Sequence, residues 1–199
     1  MRLTHAVMVI ADISGYTAFI TNRQVSLLHA EQIITDLLES MIDRTEHPLV
    51  LNKLEGDAAF LYAETGEDRA GAIRDALTQV SLLFAGFAER LIRVRDERAN
   101  CTCNACANIA DLQLKAFVHC GEIAVKQVRQ FEELAGEDVI LIHRLMKNSV
   151  EGSEYVLLTE PIYTAWSPDA SQARMHREKF DGVGVLDLLL LAPGDLPRT

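Results

Sequence analysis

Positive charge is in short supply: 19 Lys+Arg stand against 29 Asp+Glu, leaving a formal net charge of −10 over 199 residues. Nucleic-acid binding by phosphate neutralisation needs a cationic surplus, and so does docking on anionic lipid. No nucleic acid and no membrane are therefore expected as partners. A nucleotide site stays open, because a bound metal can supply the missing charge. Long hydrophobic runs are missing too. The longest, Ala6 to Ala11 and Val183 to Ala192, have strand length, and Asp187 breaks the second. The first run meets Asp12 after six residues, too soon for a signal-peptide core. A cytoplasmic protein is the default expectation. Cysteine is scarce, with four in the chain, and in that compartment these are expected to be reduced or metal-bound rather than disulfide-linked.

What is present is an ordinary globular composition, 49% hydrophobic and 24% charged. A chain this long buries roughly 70% of its unfolded surface, enough for a core without staples. One domain over residues 1–199 is expected. Residues 6–13, AVMVIADI, read as a central strand buried on both faces. Ser14 is a candidate N-cap for the stretch that follows. Val25, Leu28, Ile33, Leu37 and Met41 fall at helical spacing over 25–43. Runs 49–54 and 58–63 around Glu55-Gly56-Asp57 predict a hairpin, and 67–98 a long helix with a solvated tip from Arg90 to Arg98. Strands 112–119 and 123–128 predict a second hairpin about Gly121-Glu122. Residues 137–149 predict a helix, 155–158 a strand, 162–166 a helical turn, and 177–191 a last hairpin around Asp181-Gly182. The order predicts an α+β fold, with a mostly antiparallel sheet, helices on one face and a C-terminal hairpin.

Three segments combine groups that carry chemistry. Asp12 at a strand end is followed by Ser14-Gly15-Tyr16-Thr17 at a helix start, a carboxylate beside free backbone amides. Asp57 sits on the tight hairpin turn of Lys53-Leu54-Glu55-Gly56-Asp57. If strand 1 lies beside that hairpin, Asp12 and Asp57 face one another and suit Mg²⁺ or Mn²⁺. The third segment runs from Gly136-Glu137-Asp138-Val139 into Ile142-His143-Arg144-Leu145.

Read in order, ADISGYTAF, KLEGD, HCGEIAV and GEDVILIHRL resemble four segments of the class III adenylate/guanylate (nucleotidyl) cyclase catalytic domain. Those are strand–DISGFT–helix, K-x-x-G-D, a hairpin with H/S-G-E, and G-x-x-V-N-x-A-x-R. The resemblance covers roughly residues 5 to 190 and is nearest to an uncharacterised bacterial cyclase-like branch with a Cys-x-Cys-x-x-Cys loop and an HRLMKNS-type helix. It implies a ferredoxin-like nucleotidyl cyclase fold. It also implies signalling chemistry at a homodimer interface: a nucleoside triphosphate becomes a 3′,5′-cyclic nucleotide and pyrophosphate. Carried over by position, Asp12 and Asp57 match the metal-binding aspartates and Ile13 the metal-site carbonyl. Ser14, Gly15, Tyr16 and Thr17 match the phosphate turn. Lys53 and Glu133 match base-reading positions, and Arg144 matches the arginine that offsets charge at phosphorus. In the family, metals sit on one subunit, and base and arginine contacts come from the other.

Departures keep a second reading open. Ile140 stands four residues before Arg144, where the family has a ribose-orienting Asn, and Glu133 is one methylene longer than the family's Asp. Ile142-His143 replaces two small residues and is expected to crowd the groove. A catalytically degenerate domain that binds a nucleotide, another small ligand or a partner protein is the alternative. A phosphoesterase in the same groove would lack a distinct nucleophile. Singly, Asp12 could cap a helix, Asp57 serve its turn, Lys53 guard an edge strand and Arg144 make a surface ion pair. His143 is expected to be packed or at an interface. Cys101, Cys103 and Cys106, with Cys120 or His119, could form a tetrahedral Zn²⁺ site; a redox role or free thiols are the alternatives.

Overall fold

The computed structural model describes residues 1–21, 26–167 and 174–197. Strand β1 (Arg2–Ser14) leads into helices α1 (Tyr16–Thr21) and α2 (Leu27–Asp43), the hairpin β2 (Val50–Glu55) and β3 (Ala58–Glu64), and the long α3 (Arg69–Glu97). A short α4 (Asn104–Ala107) precedes β4 (Gln113–Val128) and β5 (Phe131–Ala135). The chain closes with α5 (Glu137–Leu145), β6 (Tyr155–Leu158), α6 (Glu160–Trp166), β7 (Arg174–Phe180) and β8 (Gly184–Leu191). The sheet order is β2-β3-β1-β4-β6-β8-β7, with β5 on β4. Every pairing is antiparallel except β4 with β6. The α+β architecture and the C-terminal hairpin are as the sequence predicts. Among the described residues, no helix is long and apolar enough to cross a membrane.

Alternation along β1 sorts two cores. Val7, Val9, Ala11 and Ile13 face the helical layer, against Ile33 and Leu37 of α2, Leu77 and Phe84 of α3, and Ile162 of α6. Ala6, Met8 and Ile10 face the other way, onto Phe60, Phe117, and Ile142 and Leu145 of α5. The prediction of helices on one face holds for the main layer. The exception is α5, whose apolar pair three residues apart lets it cover the second face. With both faces covered, β1 residues 6–11 are fully buried.

Helix starts follow side-chain capping. Ser26 accepts from the His29 amide at 3.5 Å at the start of α2, and Asp68 accepts from the Gly71 amide at 2.9 Å at the start of α3. Val25 lies outside the described residues. Ser14 is not a cap; it ends β1 opposite Gln113. Gly15 takes the position before α1, at φ +91°, with its carbonyl accepting from Phe19 N–H at 2.9 Å. A Cβ there would also sit 3.1 Å from the Asp111 carbonyl oxygen. The end of α3 is less solvated than its charge suggests. Val94 is fully buried, and Arg90 bonds Asp36 at 3.0 Å and Glu97 at 3.2 Å.

One predicted hairpin is absent. Residues 113–128 form a single strand, and Gly121 pairs with Ala6 in mid-ladder. The turn lies further on, at Arg129 (φ 56°), where β4 meets β5. Gly121 instead marks a close approach. The Asp138 carboxylate of α5 occupies the space of a Cβ there, accepting from Glu122 N–H at 2.7 Å and bonding His119 Nε2 at 2.8 Å. The other ring nitrogen of His119 lies 2.8 Å from the Thr159 hydroxyl. These partners assign the tautomer: Nε2–H donates to Asp138, and Nδ1 accepts from Thr159. Burial, the dominant influence, lowers the His119 pKa, which agrees with a neutral ring.

Candidate functional site

Asp12 follows Ile10 on the α5 side of β1, in register with Ala58 of β3 and Lys115 of β4. The β2–β3 turn brings Asp57 to it, and Ile13 N–H donates to the Asp57 carbonyl at 3.2 Å. The structure thus brings the two aspartates together. Burial and repulsion by Asp57 push the Asp12 carboxyl up to about 6, against a smaller opposing pull from Lys115. Burial also raises Asp57, partly offset by a bond from its own backbone. Ile13 buries its side chain in the helical core, so only its backbone is available here. Ser14 is buried, while Gly15 and Thr17 are exposed on the turn. Tyr16 is half-buried and donates to Glu31 at 3.3 Å.

Lys53 and Glu133 also come together. The β4–β5 ribbon reaches back to β2, where Lys53 Nζ lies 3.0 Å from Glu133 Oε2 and Asn52 donates to the Glu132 carbonyl at 3.2 Å. Arg144 is exposed in the last turn of α5 and has no acidic partner among the described residues. It lines a shallow groove of about 480 Å³ with Val139, Ile140, His143 and Lys147. Of the pair expected to crowd this groove, only His143 lines it. Ile142 points into the core, and the His143 ring packs edge-on against Phe60 at 5.0 Å. His143 Nδ1 donates to the Val139 carbonyl at 2.7 Å, and Nε2 meets the Glu55 carboxylate at 3.0 and 3.2 Å. This fastens α5 to the hairpin that carries Lys53 and Asp57. Helical spacing shows that His143 faces the sheet, but not that Glu55 waits there.

The cysteine loop gathers on the opposite, helical side. His29, Cys101, Cys103 and Cys106 form a group that could hold a metal ion, their donor atoms all within 4.8 Å of one another. The Cys103 thiol is drawn down to about 6, chiefly by the Cys106 backbone N–H, while burial pushes Cys106 up to about 12. Cys120 and His119 do not supply the fourth group. Cys120 is buried on β4, near Arg69 and Asp138, and His119 is held by Asp138 and Thr159. His29 lies more than seventy residues before the loop, with no spacing motif to link them. Its one signal is a polar residue beside Ala30 and Ile33 on the core-facing side of α2.

The family model described as "Protein of unknown function (DUF2652)" matches residues 34–155. The chain belongs to the DUF2652 family. A second sequence, the Mycobacterium tuberculosis (strain ATCC 25618 / H37Rv) "Uncharacterized protein Rv2561/Rv2562", is 34% identical over 167 residues, 82% of this chain and 76% of that one. This DUF2652 protein has the class III nucleotidyl cyclase fold. It superposes on the guanylyl cyclase Cya2 with a TM-score of 0.76 at 13% identity, over 96% of this chain and 92% of that chain. The adenylyl cyclase CyaB from P. aeruginosa gives 0.69 at 15% identity, over 96% and 95%. A class III adenylyl cyclase-like ATP-binding protein from Pseudomonas aeruginosa gives 0.67 at 16%, over 82% of this chain and 35% of that chain.

Proposed function

We propose that this DUF2652 protein is a metal-dependent nucleotidyl cyclase acting on a nucleoside triphosphate at a homodimer interface. The observation that carries the reading is the convergence of Asp12 and Asp57, pinned by the Ile13–Asp57 backbone bond, at the motif positions of that fold. Two mutually repelling, half-buried carboxylates are a donor set that a hard divalent cation fits. Asp12, Asp57 and the Ile13 carbonyl would hold Mg²⁺ or Mn²⁺. When bound, the ion supplies Lewis acidity for the ribose 3′-hydroxyl and the leaving pyrophosphate. The turn Ser14–Thr17 receives phosphates. Lys53 donates to the base and Glu133 accepts from it. Arg144 offsets charge at the reacting phosphorus, contributed across the dimer. Exposed Ile140, in the groove beside Arg144, gives this side an apolar element that suits burial against a second copy.

Ile140 favours a second reading, nucleotide binding without turnover. It is 57% exposed one turn before Arg144 and offers no polar group to a ribose. Incubation with each of the four nucleoside triphosphates and Mn²⁺, read by mass spectrometry, separates the two. Cyclic product and pyrophosphate from one triphosphate, absent with Asp57→Ala, are expected. No product from a folded dimer that still binds nucleotide would decide for the second reading.

Lys53→Ala separates base reading from stability. The Lys53–Glu133 pair is 37% and 38% exposed, so as a surface ion pair it contributes at most about 1 kcal/mol. The melting temperature should move by less than about 4 °C. Affinity for the preferred triphosphate should fall roughly tenfold, the value of one lost charge-assisted bond. A large loss of stability with unchanged affinity would contradict the assignment.

A further inference from the structure

His29 stands in the first turn of α2, and Cys101, Cys103 and Cys106 come from the connection between α3 and β4. His29 Nδ1 has the sulfur of Cys103 at 3.4 Å, of Cys101 at 3.5 Å and of Cys106 at 3.8 Å. One imidazole nitrogen carries one lone pair or one hydrogen and can serve one thiol at a time. Hydrogen bonding therefore does not account for three sulfurs around one nitrogen. A central ion does. With Zn–S near 2.3 Å and Zn–N near 2.0–2.1 Å, a tetrahedron has N–S edges of about 3.6 Å and S–S edges of about 3.8 Å. The three observed N–S separations bracket the first figure.

We propose that His29, Cys101, Cys103 and Cys106 bind one Zn²⁺ as a closed Cys₃His site. Three soft sulfurs and an imidazole select zinc over Mg²⁺ or Mn²⁺, so this site does not compete for the ion held by Asp12 and Asp57. On binding, each cysteine that is still protonated releases its proton to solvent, and all three sulfurs ligate as thiolates. Four protein ligands leave no open coordination position, which makes the site structural rather than catalytic. Its mechanical role follows from the elements it joins. The α4 helix has four residues and no side-chain cap, yet Ala105 and Cys106 are buried. The ion clasps this loop to the first turn of α2 on the sheet face opposite Asp12 and Asp57. The proposal does not depend on the nucleotide reading.

Elemental analysis of protein purified under reducing conditions tests it. Wild type should carry roughly one zinc per chain, and His29→Ala and Cys103→Ser less than roughly a fifth of that. His29→Cys, which offers four thiolates, should retain the ion, and so should Cys120→Ser. Stripping the metal should lower the melting temperature by more than about 5 °C. Should the alanine and serine variants not fold, metal-stripped wild type titrated with Co²⁺ gives the answer through the visible absorption of tetrahedral cobalt–thiolate. Wild type that holds no zinc and develops no such absorption overturns the proposal. Iron in place of zinc, or full zinc in both loss variants, also overturns it.

Discussion

Asp12→Asn is expected to stabilise the metal-free protein at neutral pH while removing its response to divalent cations. The Asp12 carboxyl titrates at about 6 in the fold, against 3.8 for an ordinary aspartate, because it is buried and faces Asp57. The native state therefore holds its proton more tightly than the unfolded chain does. Below pH 4 both states are protonated and nothing is lost. Between about pH 4 and 6 the unfolded chain ionises first, so stability falls as pH rises, and the loss is complete above 6. A shift of this size corresponds to roughly 3 kcal/mol at most, and partial exposure reduces it to about 1–2 kcal/mol. Asparagine has the same shape without the charge. Its melting temperature at pH 7 should exceed wild type by about 3–6 °C, and the gain should vanish at pH 4. Mg²⁺ or Mn²⁺ should raise the wild-type melting temperature but not that of the variant. A variant that melts at or below wild type at pH 7, or that still responds to Mn²⁺, would show that Asp12 is a structural residue.

Gly121→Ala should cost more. The new Cβ would lie 2.1 Å from the Asp138 carboxylate, which the His119 ring and the Glu122 amide hold in place. Moving the carboxylate breaks both bonds and leaves a buried imidazole N–H without an acceptor. A loss of about 2–4 kcal/mol follows, or roughly 5–15 °C in melting temperature. Asp138→Ala would by itself also be destabilising, through the same lost bonds. The double variant should be clearly more stable than the sum of the two, because each substitution removes the other's reason for harm. Additive losses would mean that the clash is relieved elsewhere.

The same glycine shows how far the sequence could be read. Gly followed by a polar residue between two alternating runs is a turn pattern, and nothing local says that a carboxylate seventeen residues later needs the space. Where the periodicity was long and uninterrupted, as in β1, α2 and α3, elements fell within a few residues of their predicted bounds. The pairing of Asp12 with Asp57 was legible because motif order implies the topology that joins them, whereas the Lys53–Glu133 contact was not expected beyond the base-reading positions the resemblance gives both residues. Ser14 misled as a cap because serine is a good one; only the strand register shows that it is still paired. His29 was illegible for a different reason. Its partners are brought to it by the packing of the α3–β4 connection on α2, a tertiary event with no trace in spacing.

The single length of β4 sets a timetable for synthesis. Arg2 pairs with Val125 and Ser14 with Gln113, so β1 leaves the ribosome long before its full-length partner exists. Until then β3 is the one strand that can pair with it among the described residues. Closing so large a loop makes the sheet late and slow to complete, in the manner of non-local topologies. The nascent chain therefore carries residues 6–11 with one edge unpaired until residues 116–121 of β4 emerge, and that stretch is where a chaperone would find its hold.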